Sequence, residues 1–394
     1  MTAKRILLTL ALTILLTACQ PGTTRIERHP NPANYMHRLD ALPSYNPANY
    51  NQWQVDLRSA DLSELDLSNA LDTLMKASFD SQTRWPAENL MPAGFDWRLI
   101  MEMGKNPGLG LRTLHEQGIT GKGVGIAIID ATLLVDHIEY IDRLKLYDET
   151  WEVSLLDAMS IHGSATASIA VGKNVGAAPG ADLYYFATEI CFGKDRIDFA
   201  CLAKTIQHVL DVNNNLPADQ KIRVLSISVG WKPGDYGYDE IIAAVNDASK
   251  AGIFVVSTTL EQTTGFELWG LGREPLADSD RFEAYMPALS WERLFYAQAL
   301  PEKMLLVPTD SRTLASPTGL QDYAFYRDGG ISWAVPYLAG VYALAAQVDP
   351  QVTPEIFLQS AFETGQTVPL QQNGRSYLLG IILDPVALIA RLLK

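Results

Sequence analysis

Three side chains of this chain could form a catalytic set of serine, histidine and aspartate. Ser332 is the candidate nucleophile: it follows Gly329 and Gly330, and an apolar run that predicts a helix begins at Ala334. A serine at the start of a helix exposes its hydroxyl, and its own unpaired N–H can hold a developing oxyanion. Pro336 suits a helix start, where the first N–H groups have no acceptor. A glycine–serine turn before a buried helix would also account for this stretch.

The other two members of the candidate set are His162 and Asp130. His162 is followed by Gly163 and a run of small residues that could pack tightly as a helix. Asp130 ends a β-branched run, and a carboxylate can fix the tautomer of a histidine that takes a proton from serine. Taken alone, His162 would suit a structural role equally well. The remaining histidines are more simply surface or packing residues: His29, His37, His115, His137 and His208.

The hydrophobic pattern predicts the scaffold that must position these residues. Strand-like runs lie at 122–130, 175–186, 222–229 and 252–258, and helical stretches lie at 200–212 and 238–251. This alternation predicts an α/β fold, a doubly wound and mostly parallel sheet with helices on both faces. Ligands bind at the C-terminal ends of the strands in such sheets, which is where Asp130 falls.

Composition limits the classes of function. With 394 residues, 47% hydrophobic and 19% charged, the chain is globular and long enough for one large domain with an extension, or for two domains. Its net charge of −14 argues against nucleic acid and anionic lipid as partners, because nothing would offset phosphate repulsion. We find no metal-ligand spacing and expect no cofactor.

The N-terminus predicts export and lipid attachment. Lys4 and Arg5 precede an apolar run over 6–16 that fits a secretory signal, here residues 1–18. The following Leu-Thr-Ala-Cys19 resembles a bacterial lipobox, in which the cysteine is lipidated and anchors the protein to a membrane. Gln20 favours the outer membrane if the envelope is Gram-negative; otherwise we expect the outer face of the cytoplasmic membrane. An ordinary signal with a chance cysteine is the simpler alternative.

Two segments separate this anchor from the predicted sheet. Residues 19–52 are rich in Pro, Asn and Tyr and predict a tether. Residues 53–107 predict an N-terminal extension, in which three pentads carry Leu57, Leu62 and Leu67 in step and resemble pentapeptide repeats. We assign this extension no chemical role.

Cys191 and Cys201 are the only cysteines beyond the predicted signal and anchor. In an exported protein such a pair is a candidate disulfide. Two free, partly buried thiols fit the sequence equally well.

Together the three catalytic segments resemble the subtilisin-like serine peptidases, or subtilases. Five motifs carry the resemblance, in the family's order: the aspartate strand at 128–130, the histidine box at 162–163, an Ala-Pro-Gly-Ala turn at 178–181, the specificity-pocket strand at 225–230 and the serine box at 330–336. The resemblance covers about 108–393, so we place a peptidase domain at 108–394. It implies a subtilisin-like fold.

The resemblance also implies an activity and residue roles. We expect a serine endopeptidase that forms an acyl-enzyme on Ser332, with His162 as general base and acid and Asp130 as the orienting carboxylate. An extended peptide or protein substrate would pair with Ser228, Val229 and Gly230, and Thr259 would lie at the specificity pocket. Calcium sites are common in the family, but we can assign none here.

The main departure from the family lies at the oxyanion hole. The family has asparagine where this chain has Glu261, within a stretch in which Thr258, Thr259 and Leu260 are bulkier than usual. An ionised carboxylate donates no hydrogen bond and repels the oxyanion, and losing one donor costs about 10²–10³-fold in turnover. A protonated Glu261 could donate, and burial raises the pKa of a carboxyl. Gln262 is the second candidate donor.

Two functions therefore remain open from the sequence. The first is a lipid-anchored serine endopeptidase of the cell envelope. The alternative is a catalytically weak or inactive pseudoprotease that keeps the cleft and acts as a peptide-binding or scaffold lipoprotein. A purely structural envelope protein is a third class, but it leaves the ordered catalytic set unexplained.

Overall fold

The structure is a computed structural model that describes residues 32–49, 53–149, 160–188, 191 and 197–394. The predicted signal segment, the lipidation residue Cys19 and His29 lie outside the described residues.

The described residues form sixteen strands. They are β1 (His37–Arg38), β2 (Val55–Asp56), β3 (Ala60–Asp61), β4 (Ala77–Asp80), β5 (Gly125–Asp130), β6 (Leu144–Glu149), β7 (Asp182–Ala187), β8 (Ile222–Ile227), β9 (Phe254–Ser257), β10 (Glu267–Arg273), β11 (Tyr285–Pro287), β12 (Met304–Pro308), β13 (Arg312–Ala315), β14 (Tyr323–Tyr326), β15 (Gln366–Gln372) and β16 (Arg375–Ile382).

Eleven α-helices accompany these strands in the same part of the chain. They are α1 (Leu71–Leu74), α2 (Trp97–Gly104), α3 (Leu111–Glu116), α4 (Ile161–Val171), α5 (Phe199–Asn215), α6 (Tyr238–Lys250), α7 (Glu261–Thr264), α8 (Glu292–Tyr296), α9 (Ile331–Val348), α10 (Pro354–Thr364) and α11 (Pro385–Leu392).

The central sheet has the order β6-β7-β5-β8-β9, and all of its strand pairs are parallel. Its first strand, β5, lies in the middle, so the chain winds to one side and then to the other. One face packs in a core that contains α4 and α9, and the opposite face packs against α5 and α6. This confirms the predicted doubly wound α/β fold with a parallel sheet. Asp130 lies at the C-terminal end of its central strand.

The bounds of these elements refine the sequence prediction. The run at 175–186 forms a strand only from Asp182, because a turn with the Ala181 N–H bonded to the Ala178 carbonyl precedes it. The helix expected from Ala334 begins at Ile331, so it contains Ser332. Helix α9 is long and apolar enough to cross a membrane by length and composition, but 78% of that window is buried inside the protein.

Besides the central sheet and a two-stranded sheet of β1 and β3, the described residues form two larger sheets. The order β11-β10-β12-β16-β15 forms a mixed sheet, and the order β13-β14-β4-β2 forms the second. In this second sheet, β2 and β4 come from the N-terminal extension, whereas the β13–β14 hairpin comes from the segment just before Ser332. The extension therefore completes a sheet whose other half leads into the candidate nucleophile.

The pentads of the extension form a short stack of turns. Leu57, Leu62 and Leu67 are buried, and their N–H groups donate to the carbonyls of Ser78, Arg84 and Leu90. The aspartate before each leucine accepts from the N–H two residues later, as Asp61 does from Ser63 at 3.1 Å. Each five-residue turn thus points one leucine into a separate hydrophobic cluster that includes Phe79 and Phe325.

Candidate active site

Asp130 and His162 meet at the end of the central strand. His162 Nδ1 lies 2.7 Å from Asp130 Oδ1, which also accepts the Ala131 N–H at 2.7 Å. The Asp130 side chain is 5% exposed, and that of His162 is 39% exposed. Asp130 Oδ2 is buried without a hydrogen-bond partner among the described residues. This arrangement fixes the proton of a neutral imidazole on Nδ1 and leaves Nε2 as the base.

The start of helix α4 brings the imidazole to this aspartate. The Ser160 hydroxyl caps the helix by accepting the His162 N–H at 3.1 Å. A Cβ at Gly163 would lie 2.5 Å from the Thr132 carbonyl oxygen and 2.8 Å from that of Ala131. The glycine after the histidine is therefore required for α4 to approach the loop that follows Asp130.

The pKa of His162 follows from the same contacts. Burial lowers the pKa of the imidazole, whereas the charge of Asp130 and its hydrogen bond raise it by more, so the net pKa lies above the ordinary value of 6.5. Aspartate thus stabilises the imidazolium that proton transfer would create. The base form of His162 accumulates only as the pH rises through this raised pKa.

Ser332 is the second residue of α9, where a backbone N–H has no acceptor within the helix. The next residue, Trp333, packs its ring against that of His162, with centroids 5.2 Å apart. Asp130 and His162 are therefore in direct contact, and Ser332 is the sequence neighbour of a residue that contacts His162. In this structure the Ser332 hydroxyl donates to the Ser228 carbonyl at 3.4 Å.

Pro336 has a different place from the one expected. It is the sixth residue of α9 and lies inside the helix, where a residue would normally donate its N–H to the carbonyl four positions earlier, that of Ser332. The missing donor is replaced by the Ser228 hydroxyl, which donates to the Ser332 carbonyl at 3.0 Å. Because the proline has no N–H, the Ser332 carbonyl is free to bond to the segment after β8.

The segment predicted to bind substrate follows β8. Ser228 makes the two hydrogen bonds to Ser332, and the Val229 carbonyl accepts the Thr258 N–H at 3.2 Å. A Cβ at Gly230 would lie 2.5 Å from the Thr259 methyl and 2.6 Å from the Thr258 hydroxyl. The two threonines therefore fill the space beside Gly230.

Thr259 and Leu260 differ in their surroundings. The Thr259 hydroxyl accepts the Trp231 N–H at 3.2 Å, so this side chain stays beside the predicted substrate segment. Leu260 is fully buried in the core. Of the three residues that are bulkier than usual in the family, Leu260 therefore contributes to the core.

The two candidate oxyanion residues have different surroundings. Glu261 lines a cavity of about 400 Å³, here called the acidic cavity, together with Ile331, the neighbour of Ser332. Its other lining residues include Thr258, Glu267, Trp269 and Ser290. The Gln262 amide instead donates to the Trp231 carbonyl at 2.8 Å. Glu261 is therefore the candidate that shares a cavity with the start of α9.

The pKa of Glu261 is raised above its usual value of 4.5. Desolvation is the largest cause, its own backbone N–H opposes the shift, and the charge of Glu267 adds to it. A larger share of Glu261 is thus protonated at a given pH than for a solvated glutamate. A protonated carboxyl is a hydrogen-bond donor.

The sequence prediction missed the residues that hold the loop before Ser332. The Gly329 N–H donates to Asp310 Oδ1 at 2.8 Å, and Asp328 accepts two hydrogen bonds from Trp53 of the N-terminal extension. Burial, with the nearby charge of Asp328, raises the pKa of Asp310 to about 6. An aspartate two residues after the buried strand β12 was a usable signal for Asp310, whereas no local pattern marks Trp53.

The remaining predicted sites lie apart from these residues. Cys191 and Cys201 form a disulfide with their Cα atoms 5.6 Å apart. In the part of the chain that the structure describes, no group of three or more His, Cys, Asp or Glu residues could hold a metal ion. The expectation of no cofactor, and of no assignable calcium site, stays a prediction.

One protein-family model matches part of the chain. The model of the Subtilase family matches residues 121–279, a segment that contains Asp130, His162 and Glu261 and ends before Ser332. No curated protein matches the chain. The match covers less than half of the chain, so it shows a likeness of this segment to the family.

Solved structures extend the likeness beyond that segment. The prenylagaramide maturation protease PagA has 16% identity and a TM-score of 0.50, covering 72% of this chain and 98% of its own. The PatG macrocyclase in complex with peptide has 14% identity and a TM-score of 0.51, covering 72% of this chain and 95% of its own. At such identities the likeness establishes the fold, which is subtilisin-like.

Proposed function

We propose that this protein is a serine endopeptidase of the bacterial cell envelope, anchored to a membrane through lipidated Cys19. The observation that carries the proposal is the 2.7 Å contact between His162 Nδ1 and Asp130 Oδ1, beside a helix that begins next to Ser332. The subtilase-family match over 121–279 and the subtilisin-like fold support it.

The proposed reaction begins when the Ser332 hydroxyl turns from the Ser228 carbonyl towards His162. His162 Nε2 takes the proton as Oγ attacks the scissile carbonyl, and Asp130 stabilises the imidazolium that forms. The imidazolium then protonates the leaving amine, and an acyl-enzyme remains on Ser332. Water, deprotonated by His162, attacks the ester and releases the second product.

The oxyanion would be held by the Ser332 N–H and by a second donor. We assign this donor to the protonated carboxyl of Glu261, because Glu261 shares the acidic cavity with Ile331 and its pKa is raised. Gln262 is the second candidate, but its amide already donates to Trp231. The substrate is an extended peptide along Ser228, Val229 and Gly230, and the solved PatG complex with peptide is consistent with this class of ligand.

The test is hydrolysis of an unbiased peptide library by the full chain in detergent micelles from pH 4 to 9. Ser332→Ala is the control, and a serine-directed phosphonate should label the wild type but not this variant. Ser332-dependent cleavage and labelling are expected. A folded wild type that neither cleaves nor labels at any pH would overturn the endopeptidase and leave the peptide-binding lipoprotein.

Membrane attachment needs its own measurement. Mass spectrometry of the mature N-terminus should find acyl chains on Cys19, and Cys19→Ser should release the protein from the membrane fraction. An unmodified mature N-terminus beyond Cys19 would contradict the anchor and leave the peptidase proposal unaffected.

A further inference from the structure

The segment between β14 and Ser332 is hydrogen-bonded to the N-terminal extension. Arg327 donates its backbone N–H to the Ser78 hydroxyl at 3.0 Å and its Nε–H to the Met75 carbonyl at 3.2 Å. Asp328 Oδ2 accepts the Trp53 N–H at 3.2 Å, and its carbonyl accepts the Trp53 indole N–H at 2.9 Å. We call residues 327–330 the serine loop. Its first two residues are thus bonded to the extension.

Trp53 adopts a conformation that these bonds stabilise. Its φ is 59°, in the left-handed region that is unfavourable for a residue with a Cβ. Such conformations persist where surrounding contacts fix them. The tryptophan is 44% exposed, so the core does not explain its position, whereas its two hydrogen bonds to Asp328 do.

A second line of contact runs from the extension to the catalytic histidine. Asp56 holds Arg58 through two hydrogen bonds of 2.8 and 2.6 Å. The Arg58 guanidinium lies 5.1 Å from the centre of the Tyr326 ring, and that ring contacts Trp333 edge to face at 5.4 Å. Trp333 in turn packs on His162 at 5.2 Å.

The opposite side of the serine loop is hydrogen-bonded to residues of the region 108–394. Asp310 Oδ1 accepts the Gly329 N–H at 2.8 Å, and Asp310 Oδ2 accepts the Leu289 N–H at 3.2 Å. The loop is therefore fixed between two supports, one from each part of the chain. Removing either support would free the backbone that sets the position of Ser332.

We propose that Trp53 and Arg58 are positioning residues for Ser332 and His162, so that the extension is a working part of the catalytic unit rather than a spacer. This rests on the proposed endopeptidase function. Neither residue needs to touch the peptide. Since misplacing a reacting group by about 1 Å can cost about 10²-fold in rate, their loss should lower kcat rather than raise KM.

The experiment compares full-length variants in detergent micelles. Arg58→Met and Trp53→Ala should lower kcat, and the rate of phosphonate labelling, by about 10–10²-fold with KM within about twofold. Trp53→Phe keeps a ring but loses the indole N–H, so it should fall between Trp53→Ala and the wild type. The matched control is Arg84→Met, because Arg84 belongs to the same extension but its side chain is 65% exposed. It should match the wild type.

A readout independent of turnover separates this inference from the proposed function. The proton shared by His162 Nδ1 and Asp130 should give a low-field NMR resonance that His162→Ala removes. It should broaden or weaken in Arg58→Met and Trp53→Ala, and stay sharp in Arg84→Met, whether or not the wild type cleaves peptides. A folded Arg58→Met with wild-type kcat or an unchanged resonance would overturn the inference, as would an effect confined to KM.

Discussion

The two sides of the proposed catalytic centre differ in the contacts that position their polar groups. On the acid–base side, Asp130 and His162 form a short, directed contact at the end of a central strand. On the serine side, the Glu261 carboxyl lines the acidic cavity beside Ile331, and the neighbouring Gln262 amide is bonded to Trp231. Proton transfer and charge stabilisation are thus built on separate elements, and one can change while the other stays intact.

The largest expected effect comes from breaking the acid–base side. Asp130→Asn leaves the shape of the site but favours the wrong histidine tautomer, so kcat should fall by about 10⁴-fold in the peptide assay. The chain offers a matched control, because Asp148 pairs with His208 at 2.8 Å elsewhere. Asp148→Asn should leave kcat unchanged. A loss of less than tenfold in Asp130→Asn would show that His162 does not depend on Asp130.

The next effect concerns the serine side and its pH dependence. If Glu261 is the second oxyanion donor, as proposed, activity needs its protonated form, which is lost as the pH rises through its raised pKa. It also needs neutral His162, which is gained as the pH rises through its own raised pKa. The pH profile of kcat/KM should therefore be bell-shaped. Its maximum should be small, because few molecules have a protonated Glu261 and a neutral His162 at the same pH. Glu261→Gln supplies a donor at every pH, so it should remove the falling limb and raise kcat/KM at pH 8 by about 10²-fold.

A neighbouring variant sharpens this result. Glu267→Gln removes a negative charge that helps to raise the pKa of Glu261, so it should move the falling limb to lower pH without removing it. A wild-type profile that is flat through neutral and alkaline pH, with no gain in Glu261→Gln, would point to Gln262 or another donor.

The smallest expected effect tests how the serine side is held. Ser228→Ala removes the hydroxyl that donates to the Ser332 carbonyl and should lower the free energy of unfolding by about 1 kcal/mol. In a Pro336→Ala background the helix regains an N–H for that carbonyl, so the same change should cost less. Urea unfolding of the four proteins measures the coupling, which we expect at about 0.5–1 kcal/mol. Strict additivity would show that Ser228 does not replace the missing helical donor.

Local sequence patterns and the family resemblance predicted the central strands and the candidate site residues. The run ending at Asp130 predicts a buried parallel strand, and its central place follows from the doubly wound order. The motifs implied the contact between Asp130 and His162, whereas the role of Ser332 stays a prediction. The start of α9 at Ile331 rather than Ala334 depends on Gly330, which takes an extended conformation as the N-cap.

Long-range contacts explain what the sequence did not predict. Trp53 and Asp328 have no shared period or motif, and only the completed sheet of β13, β14, β4 and β2 brings them together. The substitute donor for Pro336 likewise comes from the segment after β8, so a helix rule alone could not supply it. Hydrogen bonds between such distant segments are determined by tertiary packing rather than by secondary-structure propensity.

The bond between Trp53 and Asp328 joins residues that lie 275 positions apart. A ribosome therefore makes one partner early and the other only when most of the chain has emerged. Contacts of such high separation form late in folding, because closing a long loop costs entropy before the contact stabilises anything. If the extension positions Ser332 as proposed, the serine loop reaches its catalytic geometry only after both of these distant segments have been made and have folded against each other.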